Sequence, residues 1–304
     1  MSKLKTCPSC FYTLRKKLKK LVMKSQKKFP KIYSCEFFPP KTDKGMENLR
    51  NNSLKLKEGM QPEFFSVTYG AGGSEQSKTF EAVKQLHQAS GLPVAPHLTC
   101  IGSTHEQISK ILDDYIKQGI KRIIALRGDI PEGASAGEFA YANELISFIR
   151  ETTGDHFDIE VAAYPEVHPQ AKSAKDDLDN FVHKVNSGAT TAITQYFYNT
   201  DAYFRFVDRC EKSGVNIPVI PGIMPITNYT NLLRFSNMCG AEIPRWILRQ
   251  LEGFDDDLDS IKDFGTDIVS EICQRLIDAG APGLHFYSLN QAEPTLKIWQ
   301  NINP

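Results

Sequence analysis

Eight short apolar or β-branched segments recur along the chain, and each is followed by a longer stretch with helical periodicity. The segments begin at Ile32, Phe64, Val94, Arg122, Asp158, Ala189, Ile217 and Gly283. The helical pattern covers stretches such as 75–89, 104–118, 176–186 and 257–279. Strands that alternate with helices pair in parallel through βαβ units. Eight such units in about 270 residues favour a closed (β/α)8 (TIM) barrel over an open, doubly wound sheet.

The long interval 223–282 is predicted to hold extra helices before the last strand, rather than a missing strand. No Pro/Ser-rich linker, internal repeat or low-complexity tract divides the chain. We therefore predict one α/β domain over residues 32–304.

Residues 1–31 differ in charge from the rest of the chain. The chain has 36 basic and 36 acidic residues, but this segment holds eleven Lys or Arg and no acid. The remainder keeps 25 basic against 36 acidic residues, which argues against a nucleic-acid partner. We interpret 1–31 as a basic extension, helical or disordered, with organellar targeting as a minor alternative.

Two further classes of site are not expected. Cys7 and Cys10 form a CxxC pair, but no second pair follows, so we predict no metal site. No uncharged apolar run approaches the ~18 residues of a membrane-spanning helix.

Polar residues end nearly every predicted strand, where the active site of a barrel lies. Their joint placement at one rim points to a polar, elongated ligand, although each alone is weak evidence. They are Glu36, Thr68, Tyr69, His97, Thr99, Arg127, Asp129, Tyr164, His168, Gln195 and Tyr287.

Glu36 is the most specific candidate, within the string CEFFPP. Strand alternation aims Glu36 into the barrel mouth and Cys35 towards the helices. We expect the flanking Phe rings to desolvate the carboxyl, raise its pKa and suit it to deliver a proton. The alternative is a buried Glu paired with a structural Arg or Lys.

The stretch 69–74, YGAGGS, follows the second strand and opens a helix. Glycine allows close approach of the backbone to a phosphate, although a tight turn alone would also explain it. It is not the GxGxxG of a Rossmann domain, and the sequence has no P-loop.

Several strings, in order and each at a strand end, resemble the methylenetetrahydrofolate reductase family over Ile32 to Trp299. They are SCEFFPPKT, FSVTYGAGG, APHLTCIG, ALRGD, VAAYPEVHPQAKS, AITQYFY, IPVIPGIMPITN and LHFYSLN. The resemblance implies a (β/α)8 barrel that binds FAD without a Rossmann domain. Because the chain ends at Pro304, it also implies a catalytic-domain-only, bacterial-type member.

The implied reaction belongs to one-carbon metabolism and methionine biosynthesis. NADH or NADPH reduces FAD and leaves, and 5,10-methylenetetrahydrofolate then accepts hydride to become 5-methyltetrahydrofolate, by a ping-pong route. The resemblance further implies a cytoplasmic homo-oligomer.

The resemblance also implies residue roles. Glu36 is the general acid, and Asp129 is a catalytic carboxylate beside the flavin. Positions for FAD are Thr68, Tyr69, Ala71, His97, Arg127, Gly128, Asp129, Tyr164, His168, Ala171, Asp177, Asn180 and Lys184. Positions for substrate are Gln195, Phe235 and Gln291. His183 and Gln291 stand where the family carries Arg, which puts one phosphate contact and folate affinity in question.

Two other interpretations remain open at this point. One is a related flavin barrel, such as a proline-dehydrogenase-like enzyme, and the other is a non-catalytic flavin- or folate-binding protein. Glu36 and Asp129 argue against the second of these, since a binding protein does not need them.

Overall fold

The computed structural model describes residues 22–69, 76–129 and 137–302. Within them, nine short parallel strands form one sheet surrounded by helices. The strands are β1 (Ile32–Phe37), β2 (Phe64–Val67), β3 (Val94–Thr99), β4 (Arg122–Leu126), β5 (Asp158–Ala163), β6 (Thr191–Thr194), β7 (Val219–Ile220), β8 (Gly222–Ile223) and β9 (Gly283–Tyr287).

The helices alternate with these strands, as predicted. They are α1 (Lys24–Lys27), α2 (Asp43–Met60), α3 (Gln76–Ser90), α4 (His105–Lys117), α5 (Ala142–Thr153), α6 (Ala174–Asn186), α7 (Thr200–Lys212), α8 (Tyr229–Cys239), α9 (Arg245–Gly253), α10 (Leu258–Ala279) and α11 (Glu293–Ile302). Three of them, α8 to α10, occupy the interval before the last strand.

The sheet closes into a barrel through the seventh predicted strand. β7 pairs with β6, β8 pairs with β9, and β1 joins β9 to β2. Only Pro221 separates β7 from β8, and proline has no N–H to give to a ladder, so one predicted strand is divided into two short ones. The predicted (β/α)8 barrel is thus confirmed.

Two apolar cores follow from strand alternation. Inside the barrel lies a small cluster of Phe64, Ala95, Ile124, Ile193 and Ile220. A larger core fills the layer between the strands and the helices. Alternate residues of each strand therefore either fill the barrel or anchor a helix.

Helix ends lie where the sequence provides caps. Thr104 accepts the Gln107 N–H and Gln107 accepts the Thr104 N–H, a reciprocal capping box that starts α4. Asp257 accepts the amides of Asp259 and Ser260 and starts α10. The observed bounds of these two helices lie within one residue of the predicted ones.

The floor of the barrel is covered by the segment 22–31, the part of the basic extension that the structure describes. Met23 is buried and donates its N–H to the carbonyl of Ala279. Gln26 is also buried, and it accepts the Val219 N–H at 2.8 Å and donates to the carbonyl of Ile217 at 3.4 Å. The Gln26 side chain therefore provides hydrogen-bond partners for the backbone at and just before the start of β7.

Gln26→Ala is expected to lower the free energy of unfolding by about 1–3 kcal/mol, because the Val219 N–H is left buried without a partner. Urea denaturation measures the change. The matched control is Gln274→Ala on the exposed face of α10, with an expected change within about 0.5 kcal/mol. Equal losses of stability in Gln26→Ala and Gln274→Ala would contradict the role of the hydrogen bond between Gln26 and Val219.

Candidate active site

A cavity of about 340 Å³ opens at the carboxyl ends of the strands. Its apolar floor is formed by Ile124, Leu126, Ala162 and Ile193. Five polar residues predicted for the rim also line it, namely Glu36, His97, Tyr164, Gln195 and Tyr287. The structure therefore brings together side chains from six strands around one cavity, as barrel geometry requires.

Glu36 stands at the end of β1 with its carboxylate between two imidazoles. Its Oε2 lies 3.1 Å from Nε2 of His97 and 3.5 Å from Nε2 of His285. The Ser288 hydroxyl donates to the Glu36 carbonyl at 2.6 Å, which fixes the backbone at this point. Cys35 is fully buried with its Sγ 3.6 Å from Sδ of Met60 on α2, so the predicted alternation is confirmed.

The predicted direction of the Glu36 pKa is wrong. Burial does raise this pKa, but the positive charge and contacts of His97 and His285 outweigh burial and lower it to about 2. The neighbouring rings do not flank the carboxyl, because Phe37 points into the outer core and Phe38 is 45% exposed. The pKa of Glu36 is therefore set by its neighbours in space, and not by its neighbours in the sequence.

Aromatic side chains form one wall of the cavity. The Tyr287 hydroxyl donates to the Thr194 carbonyl at 2.8 Å, and the Tyr196 hydroxyl lies 3.1 Å from Oγ of Ser236. A Cβ at Gly222 would lie 2.1 Å from that Thr194 carbonyl oxygen and 2.7 Å from the Tyr287 ring. Only glycine fits between them.

Helix α8 supplies a second wall, next to Tyr196. Asn228 caps it by accepting the Asn231 N–H, and three side chains one turn apart face the cavity: Phe235, Met238 and Cys239. The predicted substrate-binding Phe235 is therefore part of the cavity. Cys239 donates its thiol to the Tyr196 hydroxyl at 3.3 Å, which connects the two walls.

The loop after β4 presents a cation beside the cavity. Arg127 donates to the Gln170 side chain at 2.7 Å and to the Gly128 carbonyl at 3.1 Å. Gly128 has φ 87°, and a Cβ there would lie 2.9 Å from Ile101. Asp129 follows and is exposed.

The loop after β5 is held by its own polar contacts. The His168 ring packs edge-on against Tyr164 with centroids 4.4 Å apart, and the His168 N–H donates to Asp177 at 3.2 Å. The Ala171 N–H donates to the His168 carbonyl. Burial, together with the charges of Asp129 and Asp177, raises the pKa of Tyr164 to about 12.

The remaining predicted positions have mixed outcomes. Lys184 donates to the Ala162 carbonyl, and its burial lowers its pKa to about 8. Thr68 and Tyr69 are half-buried at the end of β2, while Ala71 lies outside the described residues. Asn180 and Gln291 are exposed, and neither lines the cavity.

Sequence reasoning missed several residues of the site, above all His285. It lies two positions before Tyr287 on β9, so strand parity could have predicted that it faces inward. Tyr196, Met224, Met238 and Leu289 line the cavity itself and were not predicted. Leu289 has φ 51°, an unusual backbone conformation that the sequence does not signal.

A metal site and a membrane-spanning helix are two features that the sequence does not predict. Among 22–69, 76–129 and 137–302, no group of His, Cys, Asp and Glu side chains could hold a metal ion. No helix in these ranges is long and apolar enough to cross a membrane. Cys7 and Cys10 lie outside them.

The fold and the site define a (β/α)8-barrel enzyme with a half-buried glutamate at the mouth of an aromatic-walled cavity. The family model described as methylenetetrahydrofolate reductase matches residues 19–303. The chain belongs to this family of oxidoreductases.

Individual relatives agree with the family assignment. The 5,10-methylenetetrahydrofolate reductase of Escherichia coli K12 is 43% identical over 269 residues, which span 88% of this chain and 90% of the relative. A rice protein named probable methylenetetrahydrofolate reductase (NADH) is 36% identical over 285 residues, and the match spans 89% of this chain but 48% of the rice protein.

A solved structure supports the fold alone. It is an uncharacterized Clostridium thermocellum protein that binds two copies of 5-methyl-5,6,7,8-tetrahydrofolic acid. It superposes with a TM-score of 0.61 at 18% identity and covers 92% of this chain and 97% of its own.

Proposed function

We propose that this chain reduces 5,10-methylenetetrahydrofolate to 5-methyltetrahydrofolate, with electrons from NADH or NADPH that pass through a bound FAD. The observation that carries the proposal is Glu36, a half-buried carboxylate that lines the cavity and is contacted by two imidazoles. Family membership supplies the substrate class, and the name of the rice relative favours NADH as one donor.

The residues present fit FAD. Ile124, Leu126 and Ala162 offer apolar surface to a flat ring system, and Arg127 and Lys184 carry the charge that a pyrophosphate needs. Gly128, whose missing Cβ lets the loop lie against Ile101 and Thr99, holds the loop that carries Arg127. The proposed binding set is completed by Thr68, Tyr69, Ala71, His97, Tyr164, His168, Ala171, Asp177 and Asn180, of which Ala71 lies outside the described residues. When bound, FAD would supply hydride transfer between the nicotinamide and the folate.

The chain's own residues would prepare the folate. Glu36 would protonate N10, so that the five-membered ring opens and the one-carbon unit on N5 becomes an electrophilic iminium. Asp129 would stabilise this cation. Gln195 would hydrogen-bond either substrate and Phe235 would stack on it, with Gln291 as an uncharged contact to the folate.

One cavity that serves both substrates in turn predicts ping-pong kinetics. The proposal includes a cytoplasmic homo-oligomer that acts in methionine biosynthesis. Light scattering of the purified protein would measure the oligomeric state.

The purified protein is expected to show, or to acquire on addition of FAD, a flavin absorption spectrum. NADH or NADPH should bleach the spectrum under anaerobic conditions, and methylenetetrahydrofolate should restore it. A protein that takes up no FAD would contradict the whole proposal. A protein that is bleached but not restored by the folate would instead be a flavin barrel with another substrate.

A further inference from the structure

Two fully buried polar residues lie behind Glu36 inside the barrel. Ser34 on β1 and His285 on β9 are register partners, and both have no exposed surface. Oγ of Ser34 lies 2.7 Å from Nδ1 of His285. The ring of His285 is further held by Phe64, which stacks on it, and by Tyr287, which meets it edge-on at 5.3 Å. The imidazole is thus fixed in position and orientation.

The second nitrogen of His285 is aimed at the proposed acid. Nε2 has no hydrogen-bond partner of good geometry, yet it lies 3.5 Å from Oε2 of Glu36. His97 approaches the same oxygen from the other side at 3.1 Å. The two imidazoles differ in access, because His97 lines the cavity whereas His285 is buried and does not line it.

Charged and titratable groups surround this cluster on several strands. His97 on β3 and Tyr287 on β9 face Glu36, and Glu160 on β5 adds a second carboxyl, which is fully buried. Arg122 already pairs with Glu160. Among the described residues, the two imidazoles are therefore the groups in contact with Glu36 that can carry a positive charge.

An ionised Glu36 cannot protonate a substrate, so the site needs a source of protons close to it. We propose that His285, held by Ser34, is a positioning residue that keeps a proton beside Glu36 and returns it to the carboxylate during each turnover. This inference rests on the proposed function.

The proton steps balance without electron transfer. The Nε2–H bond of the His285 imidazolium breaks as the Glu36 O–H bond forms. This O–H bond then breaks as the N10–H bond of the folate forms, which leaves the Glu36 carboxylate and a neutral His285. After the product leaves, a water-derived proton enters through the open cavity, past His97, and restores the imidazolium.

The test measures the two half-reactions of the FAD-loaded enzyme separately over pH 6 to 9 in His285→Gln and Ser34→Ala. Bleaching by NADH needs no acid and is expected to remain within about twofold of wild type. Reoxidation by the folate is expected to be within about threefold at pH 6 and at least about tenfold slower at pH 8 in His285→Gln, because glutamine holds no titratable proton. Ser34→Ala should also slow reoxidation more at pH 8 than at pH 6, but by a smaller factor than His285→Gln.

The pH trend separates a proton role from a structural one. A structural defect would slow reoxidation by the same factor at every pH, or would slow both half-reactions equally, and either result would overturn the proposal. His87→Gln, on the exposed face of α3, is the matched control and should leave both half-reactions unchanged. Wild type that is bleached but not restored would refute the proposed function instead.

A second measurement does not depend on turnover. Infrared difference spectra between each protein and its Glu36→Gln counterpart isolate the Glu36 carboxyl band. At pH 7 wild type should show an ionised carboxylate. In His285→Gln one of the two imidazoles that oppose the effect of burial is lost, so the Glu36 pKa should be higher than in wild type. The band of the protonated carboxyl should therefore persist to higher pH than in wild type. Identical titrations would contradict the role of His285.

Discussion

Glu36→Gln, loaded with FAD, is expected to be bleached by NADH at close to the wild-type rate but to be reoxidised by methylenetetrahydrofolate at least about 10²-fold more slowly. Glutamine keeps the size of the side chain and retains contact with His97 and His285, but it cannot act as an acid at N10. Hydride transfer from the nicotinamide requires no proton from this position. Stopped-flow absorbance measures the two half-reactions separately.

The control for Glu36→Gln is the same substitution at an exposed carboxyl. Glu47→Gln on α2 should leave both half-reactions unchanged. Thermal unfolding of each variant shows whether the fold is retained. Equal slowing of both half-reactions by Glu36→Gln would mean that the residue holds FAD rather than protonates the folate.

The barrel and its rim could be predicted because both follow from local periodicity. Strand segments with a period of two and helices with a period of 3.6 residues are encoded by near neighbours in the chain. The carboxyl ends of the strands then fix where Glu36, His97, Gln195 and Tyr287 must meet. The split of the seventh strand at Pro221 is also local, and the proline itself indicates it.

The electrostatics of the site could not be predicted in the same way. The sequence places Phe37 and Phe38 next to Glu36, but alternation turns Phe37 to the other face, and the loop exposes Phe38. The groups that set the charge state, His97 and His285, come from distant strands. Their distances to one carboxylate oxygen depend on barrel closure, which no local pattern specifies. The same holds for Met238 on α8, whose position depends on how the extra helices pack.

Arg122→Ala is expected to lower the free energy of unfolding by about 3–5 kcal/mol at neutral pH. Nη1 of Arg122 contacts Oε1 of Glu160, a carboxylate with no exposed surface inside the barrel. The guanidinium also lies 4.5 Å from the centre of the Phe64 ring. Removal of Arg122 leaves Glu160 as a buried charge without its partner. Urea denaturation at several pH values measures the loss.

The pH dependence of Arg122→Ala identifies the cause of its destabilisation. Burial raises the pKa of Glu160, and Arg122 opposes that rise, so the variant should have an even higher folded-state pKa. A carboxyl with a raised folded-state pKa contributes full stability below its unfolded pKa, about 4.3, and loses it as pH rises towards the folded value. The gap between variant and wild type should therefore widen as pH rises above the folded-state pKa of Glu160 in wild type, which itself lies above the ordinary value.

Two companion variants complete the test of this pair. Adding Glu160→Gln to Arg122→Ala removes the buried charge and should recover part of the stability at pH 7. Arg249→Ala, which breaks an exposed pair with Glu252, should change stability by less than about 0.5 kcal/mol. If the single and double variants lose the same stability at every pH, then Arg122 stabilises the fold by packing on Phe64. Arg122 would then not act by compensating the charge of Glu160.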